Sequence, residues 1–156
     1  MQLGGENAVG LCRAPDCFRR RPPGEPVHVL LVEDDPLIGL NSAEELRCAG
    51  HRVSGPADNE AEAEALVVEE RPDIALVDIN LAGDQEGVRL ARKLHEQFGV
   101  RCLFVTGEAG PARANSDVAV GLLQKPYDPA DLVCSLELLD GEGRSYRPSN
   151  LELFGR

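Results

Sequence analysis

The chain has 156 residues, enough for one domain with a sizeable core, and 42% of them are hydrophobic, which is ordinary for a globular protein. Its formal net charge is −11, whereas residues 1–26 carry four arginines against three acids, so the acidity lies in the rest of the chain. Such a surface repels phosphate backbones, which argues against nucleic acid as a partner. No apolar run approaches the roughly 20 residues of a membrane span, and the N-terminus lacks the apolar segment of a signal peptide. We therefore expect a cytoplasmic protein with no membrane contact.

The five cysteines are odd in number and scattered along the chain, a pattern that indicates reduced thiols rather than a disulfide framework. Cys12 and Cys17 are close enough to resemble half of a zinc site, but no second pair with zinc-ligand spacing follows. The remaining three are most simply small core residues.

Composition divides the chain into three parts. Residues 1–26 are rich in Gly, Pro and Arg without periodicity and predict a flexible extension. Residues 27–140 carry the regular apolar patterns of one domain. Residues 141–156 form a tail that is too short for a separate output domain.

Strands and helices alternate from residue 27 onward. Short apolar runs predict strands at 27–32, 51–55, 74–77, 102–105 and 120–123. Helical spacing and caps predict helices at 36–49, 60–71, 86–98 and 128–139, with only a short or frayed helix between 107 and 118 because Gly110 and Pro111 make a poor start. Asp35 before Pro36, and Asn59 with Glu62 three residues later, are helix-start signals.

This alternation predicts an α/β protein in which right-handed crossovers wind helices onto both faces of a parallel sheet. The expected architecture is a flavodoxin-like (βα)5 fold with five strands in the order 2-1-3-4-5.

Polar residues follow four of the predicted strands. Glu33 and Asp34 follow the first, Asp78 the third, Thr106 the fourth and Lys125 the fifth. The carboxyl ends of parallel strands meet at one edge of the sheet, so we expect these side chains to converge. Three carboxylates in one place need a cation to stay ionised, and oxygen ligands with open positions suit Mg²⁺.

This set of groups fits phosphoryl transfer to a carboxylate. An ionised Asp78 is already a nucleophile and needs no general base. The metal and Lys125 would stabilise the negative charge on the transferring group, and the hydroxyl of Thr106 can donate to a phosphoryl oxygen.

Four sequence motifs, VLLVEDDP, ALVDINLAG, FVTGEA and LQKPYD, occur in this order at the predicted strand ends. Together they resemble the receiver domains of two-component response regulators over about residues 27–139. The resemblance implies that Asp78 is the phospho-acceptor, that Glu33 and Asp34 hold Mg²⁺, and that Asn80 adds its backbone carbonyl. It also implies that Thr106 is the switch hydroxyl, while Lys125, before a cis proline at position 126, pairs with the phosphoryl group.

The resemblance further implies a function and partners. The phosphoryl donor would be a phosphohistidine on a histidine kinase or phosphotransfer protein, and the output would be contact with a downstream protein in a phosphorelay. The chain would catalyse only its own Mg²⁺-dependent phosphorylation and dephosphorylation. A phosphate sink or shuttle and a pseudo-receiver binding module are the alternatives. A homodimer through segment four, strand five and helix five is a further possibility.

Three departures from the family pattern affect these expectations. Leu81 and Ala82 replace the usual Met-Pro pair, which predicts a looser loop after Asp78. Leu122 stands where most receivers have the aromatic residue that reports phosphorylation, so the output mechanism is left open. The short segment after Thr106 and the FVTGE sequence resemble the alphaproteobacterial stand-alone receivers marked by a Phe-x-Thr-Gly motif.

Overall fold

The computed structural model describes residues 24–141 and 146–155. The strands of this part are β1 (His28–Val32), β2 (Arg52–Ala57), β3 (Ile74–Val77), β4 (Arg101–Thr106), β5 (Gly121–Gln124) and β6 (Leu151–Leu153). The helices are α1 (Pro36–Cys48), α2 (Glu60–Glu70), α3 (Glu86–Phe98), α4 (Ala109–Ala114) and α5 (Pro129–Leu139). Within the described ranges, no helix is both long and apolar enough to cross a membrane.

The strands form one sheet in the order β2-β1-β3-β4-β5-β6. The first five are parallel in the predicted order, so the flavodoxin-like architecture is confirmed. The sixth strand was not predicted: the five-stranded expectation is corrected to six, because β6 pairs antiparallel with β5. This strand comes from the segment that was expected to be only a tail.

Side chains of the central strands alternate between two hydrophobic layers. Residues such as Leu30, Val77 and Phe104 join one layer with α2, α3 and α4, whereas Leu31, Leu76 and Val105 join the other with α1 and α5. Both faces of the sheet are therefore buried, which explains why these strands are continuous apolar runs rather than alternating ones. Polar side chains that could bind a ligand or react therefore lie at the strand ends.

Local signals set the helix boundaries. The Asp35 carboxylate accepts hydrogen bonds from the backbone N–H groups of Leu37 and Ile38, so α1 begins beside the acids that follow β1. Asn59 caps α2 by accepting from the N–H of Glu62 at 2.9 Å. The helix α4 is as short as Gly110 and Pro111 predict, with only six residues.

Some expectations fall outside the described residues. They include the flexibility expected for residues 1–23 and the argument against a zinc site at Cys12 and Cys17. Among the described cysteines, Cys102 is fully buried and its desolvation raises the thiol pKa to about 12. It is therefore an inert core residue, as expected, whereas the same expectation is wrong for Cys48, which is exposed on α1.

Candidate functional site

Three acids from two neighbouring strand ends meet at the carboxyl edge of the sheet. Glu33 and Asp34 follow β1, and Asp78 follows β3, which pairs directly with β1. One carboxylate oxygen of each lies within 4.8 Å of the others. Glu33 and Asp78 are 6% and 7% exposed, whereas Asp34 is open to solvent. The cluster thus has a buried interior and one open side.

The ammonium group of Lys125 links the two buried acids. Its Nζ donates to Oε2 of Glu33 at 2.9 Å and to Oδ2 of Asp78 at 3.0 Å. Burial raises the pKa of Glu33, an effect that the hydrogen bond from Lys125 partly offsets. Burial also disfavours the charge on Lys125, but its bonds to both acids outweigh this and leave its pKa raised. The lysine therefore stays protonated at neutral pH.

Thr106 ends β4 and is completely buried. Its Oγ1 accepts a hydrogen bond from the backbone N–H of Glu108 at 3.1 Å, and its carbonyl accepts from the N–H of Lys125 at 2.9 Å. The threonine thus contacts both the residue that caps α4 and the backbone of the site lysine.

The loop after Asp78, which the absence of a Met-Pro pair predicts to be looser, is held by two backbone hydrogen bonds and one buried side chain. The Asp78 carboxylate accepts from the N–H of Asn80 at 3.1 Å, and the Asp34 carboxylate accepts from the N–H of Ala82 at 3.3 Å. Leu81 is completely buried in the core. Two backbone hydrogen bonds and one buried side chain therefore connect this loop to the acidic cluster and to the core.

Gly87 contributes to the site in a way that sequence reasoning did not identify. A Cβ atom at this position would lie 1.9 Å from the carbonyl oxygen of Asp78. Since no real Cβ approaches an oxygen so closely, only glycine lets α3 pack directly against the backbone of the acidic residue. Gly87 is the second residue of α3 and directly follows a polar loop. A glycine at such a position was the only local signal of a close backbone approach.

Tyr127 is a second residue that was missed. Its hydroxyl hydrogen bonds with Oγ of Ser42 on α1 at 3.1 Å. The preceding Lys125–Pro126 peptide bond is cis, as the resemblance implied. Tyr127 therefore connects the segment that carries the lysine to α1.

The acidic cluster fits a small divalent cation. Its ligands are carboxylate oxygens, which hard cations prefer, and the exposure of Asp34 leaves room for water or a phosphate oxygen. Three carboxylates outnumber the single ammonium group of Lys125, so the cluster retains negative charge for a metal to neutralise. A nucleophile, a metal site and a fixed ammonium group in one place are the parts that phosphoryl transfer requires.

Comparison with curated proteins agrees with this geometry. The chain is 32% identical over 108 residues to the phyllosphere-induced regulator PhyR of Methylorubrum extorquens, a match that covers 67% of this chain and 40% of PhyR. It is 28% identical over 116 residues to the transcriptional regulatory protein PdtaR of Mycobacterium tuberculosis, covering 72% of this chain and 56% of PdtaR. The chain therefore spans about half the length of these relatives.

Solved structures with the same fold match most of the chain. The chemotaxis response regulator CheY4 of Vibrio cholerae superposes with a TM-score of 0.65 at 26% identity, covering 74% of this chain and 99% of CheY4. The receiver domain of a modulated diguanylate cyclase from Desulfovibrio desulfuricans gives a TM-score of 0.67 at 32% identity, covering 76% and 96%. The family model described as the response regulator receiver domain matches residues 29–137. The chain belongs to the response regulator receiver domains of two-component systems.

Proposed function

We propose that this chain accepts a phosphoryl group on Asp78 from a phosphohistidine donor and signals through contact with another protein. The observation that carries the proposal is the convergence on Asp78: Lys125 donates to its carboxylate at 3.0 Å, and oxygens of Glu33 and Asp34 lie within 4.8 Å. A structural acid at a strand end would not require two further acids and a lysine around it.

The chemistry follows from these groups. A carboxylate oxygen of Asp78 attacks the phosphorus atom, a new O–P bond forms, and the P–N bond to the donor imidazole breaks with its electron pair going to nitrogen. Mg²⁺, held by Glu33, Asp34, Asp78 and the carbonyl of Asn80, would supply neutralising charge to the phosphoryl oxygens. Lys125 stabilises the same charge, and Thr106 donates its hydroxyl hydrogen to the product.

A protein donor must be able to reach a recessed carboxylate. Asp78 is 7% exposed, so a histidine side chain has to be brought to it along a surface contact. Two large apolar side chains stand out from the neighbouring helix α1, Leu37 at 72% and Leu40 at 61% exposed. Their spacing of three residues puts them on one side of the helix, where an apolar donor surface can cover them.

The decisive experiment is the intact mass of the chain after incubation with a small acyl phosphate, with and without Mg²⁺. We expect a gain of one phosphoryl group that requires Mg²⁺ and disappears in Asp78→Ala. Asp35→Ala is the matched control, because Asp35 caps α1 and lies outside the cluster. A gain that persists in Asp78→Ala contradicts the assignment. No gain from either a small donor or a histidine kinase would identify a pseudo-receiver.

A phosphate sink is the second candidate. Leu122 replaces the aromatic residue that reports phosphorylation in most receivers, and it is 1% exposed in the core. Without that reporting side chain, loss of the phosphoryl group would matter more than a change in partner binding. Loss of the acyl phosphate within seconds, without altered binding of a partner, would support the sink.

A further inference from the structure

The strand β6 closes the outer edge of β5. Three residues pair in antiparallel register, Gly121 with Leu153, Leu122 with Glu152 and Leu123 with Leu151. Backbone bonds extend this pairing at both ends, from the N–H of Gln124 to the carbonyl of Asn150 and from the N–H of Phe154 to the carbonyl of Val120, each at 3.0 Å. The edge of β5 is therefore a strand-binding site that the chain's own C-terminal segment fills.

The fit between this segment and the sheet is close. A Cβ at Gly121 would lie 2.5 Å from the carbonyl oxygen of Glu152, so the edge of β5 accommodates β6 only because position 121 is glycine. Leu151 is 5% exposed within one hydrophobic layer, and Phe154 packs against the other. Two apolar contacts and a backbone ladder thus hold the segment.

The attachment also depends on α4. The guanidinium of Arg113, in the last turn of α4, donates to both carboxylate oxygens of Glu152 at 2.8–3.2 Å. Leu122 and Ala112 belong to the layer against which Phe154 packs. A shift of α4 would therefore weaken the ion pair and the packing of β6 together.

The other end of α4 touches the switch threonine. Glu108 occupies the N-cap position of this helix, and its backbone N–H donates to Oγ1 of Thr106 at 3.1 Å. A rotation that carries this hydroxyl toward a phosphoryl group on Asp78 removes the acceptor from that N–H. Since α4 has only six residues, the change at its first turn is about one turn away from Arg113.

We propose that residues 146–155 act as an internal cover of the β5 edge and that phosphorylation of Asp78 loosens this cover through Thr106, Glu108 and α4. The proposal rests on the proposed function, because the phosphoryl group is what moves Thr106. Loosening exposes the N–H and C=O groups of β5, which can then pair with an extended segment of a downstream protein. Phosphorylation changes the population of two states, covered and open.

The test is backbone amide hydrogen exchange of the full chain, with a small acyl phosphate and Mg²⁺ present throughout. We expect exchange of residues 151–154 to become at least about tenfold faster on phosphorylation, while the central strands β1 and β3 do not change. Asp78→Ala under the same conditions should show no acceleration. Phosphorylation detected by mass with unchanged exchange at 151–154 would overturn the proposal.

A variant separates this proposal from the proposed function. Arg113→Gln should accelerate exchange of β6 without phosphorylation, and phosphorylation should then add less than it does in the wild-type chain, because both act on one contact. Arg89→Gln, which removes an ion pair between α3 and Glu60 on α2, is the matched control and should leave β6 unchanged. Absence of a phosphoryl gain with both a small acyl phosphate and a histidine kinase would refute the proposed function and the phosphorylation dependence. Unchanged β6 exchange in Arg113→Gln would refute the role of α4.

Discussion

Lys125 determines the charge balance of the acidic cluster. Its side chain is 22% exposed, while the carboxylates that it joins belong to side chains that are 5% and 10% exposed. In such surroundings a missing partner leaves charge that neither water nor the protein compensates well. The lysine is therefore structural as well as a candidate ligand for a phosphoryl group.

We expect Lys125→Gln to lower the free energy of unfolding by about 3 kcal/mol at pH 7, the lower end of the range for removing one partner of a buried pair. Urea unfolding measures this change, and added Mg²⁺ should restore part of it by neutralising Glu33 and Asp78. Lys93→Gln is the control, since Lys93 also joins two glutamates, Glu60 and Glu64, but at the surface. Its effect should be under about 1 kcal/mol. Equal losses in the two variants would contradict the special role of Lys125.

Sequence reasoning selected the acids, the threonine and the lysine as site candidates because each stands at a strand end. It could not identify Gly87 or Tyr127 in the same way. The role of Gly87 depends on how closely α3 approaches the backbone of Asp78, and the role of Tyr127 depends on a contact with Ser42, 85 residues away. Neither distance is encoded in a local pattern.

At the scale of elements, the strongest signals were caps and apolar runs, and the weakest was β6. The three-residue strand follows Pro148, Ser149 and Asn150, and a run of one acid between two leucines is too short to stand out from a tail. Its partner β5 lies some 30 residues earlier in the chain. The strand forms because the edge of β5 is available to pair with it, and this depends on tertiary structure rather than on local sequence.

The attachment of β6 should depend on pH. Hydrogen bonds from Arg113 hold the pKa of Glu152 below its ordinary value of 4.5. A lowered pKa means that the ion pair contributes fully above pH 4.5 and that its contribution is lost as the pH falls through the lowered value.

We therefore expect the exchange protection of Phe154, corrected for the intrinsic exchange rate, to fall between neutral pH and pH 3 more steeply in the wild-type chain than in Glu152→Gln. The variant retains the shape of the side chain but has no carboxylate to titrate. Parallel pH profiles for the two chains would show that the ion pair does not hold the strand.

At the scale of the whole molecule, the alternation of strands and helices was sufficient to predict the doubly wound sheet. The strands β1, β3 and β4 are buried along almost their whole length, so the order of elements along the chain leaves few alternatives for their order in space. What this order does not determine is which part of the surface meets another protein.

We expect the exposed leucines of α1 to matter for a protein donor and not for a small one. Leu40→Ser should slow phosphoryl transfer from a histidine kinase by about tenfold, because a buried apolar contact at an interface is lost. Its rate with a small acyl phosphate should stay the same. Val68→Ser, an equally exposed apolar position on α2, is the control for surface polarity. Equal slowing with both donors would indicate damage to the site rather than to docking.

Without β6, the two edges of the sheet are β2 and β5, and they differ in how readily they could pair with a strand of another copy of the chain. The edge strand β2 contains Pro56, which has no N–H to offer a neighbour, and its pairing with β1 shifts register between Leu30 and Val32. If β6 is released as proposed, β5 becomes an open edge, whereas Pro56 interrupts the hydrogen-bonding pattern of the β2 edge. Two such chains can pair through β5, and the interrupted β2 edge opposes the addition of further copies head to tail. The molecule can expose a strand edge without becoming the start of a fibre.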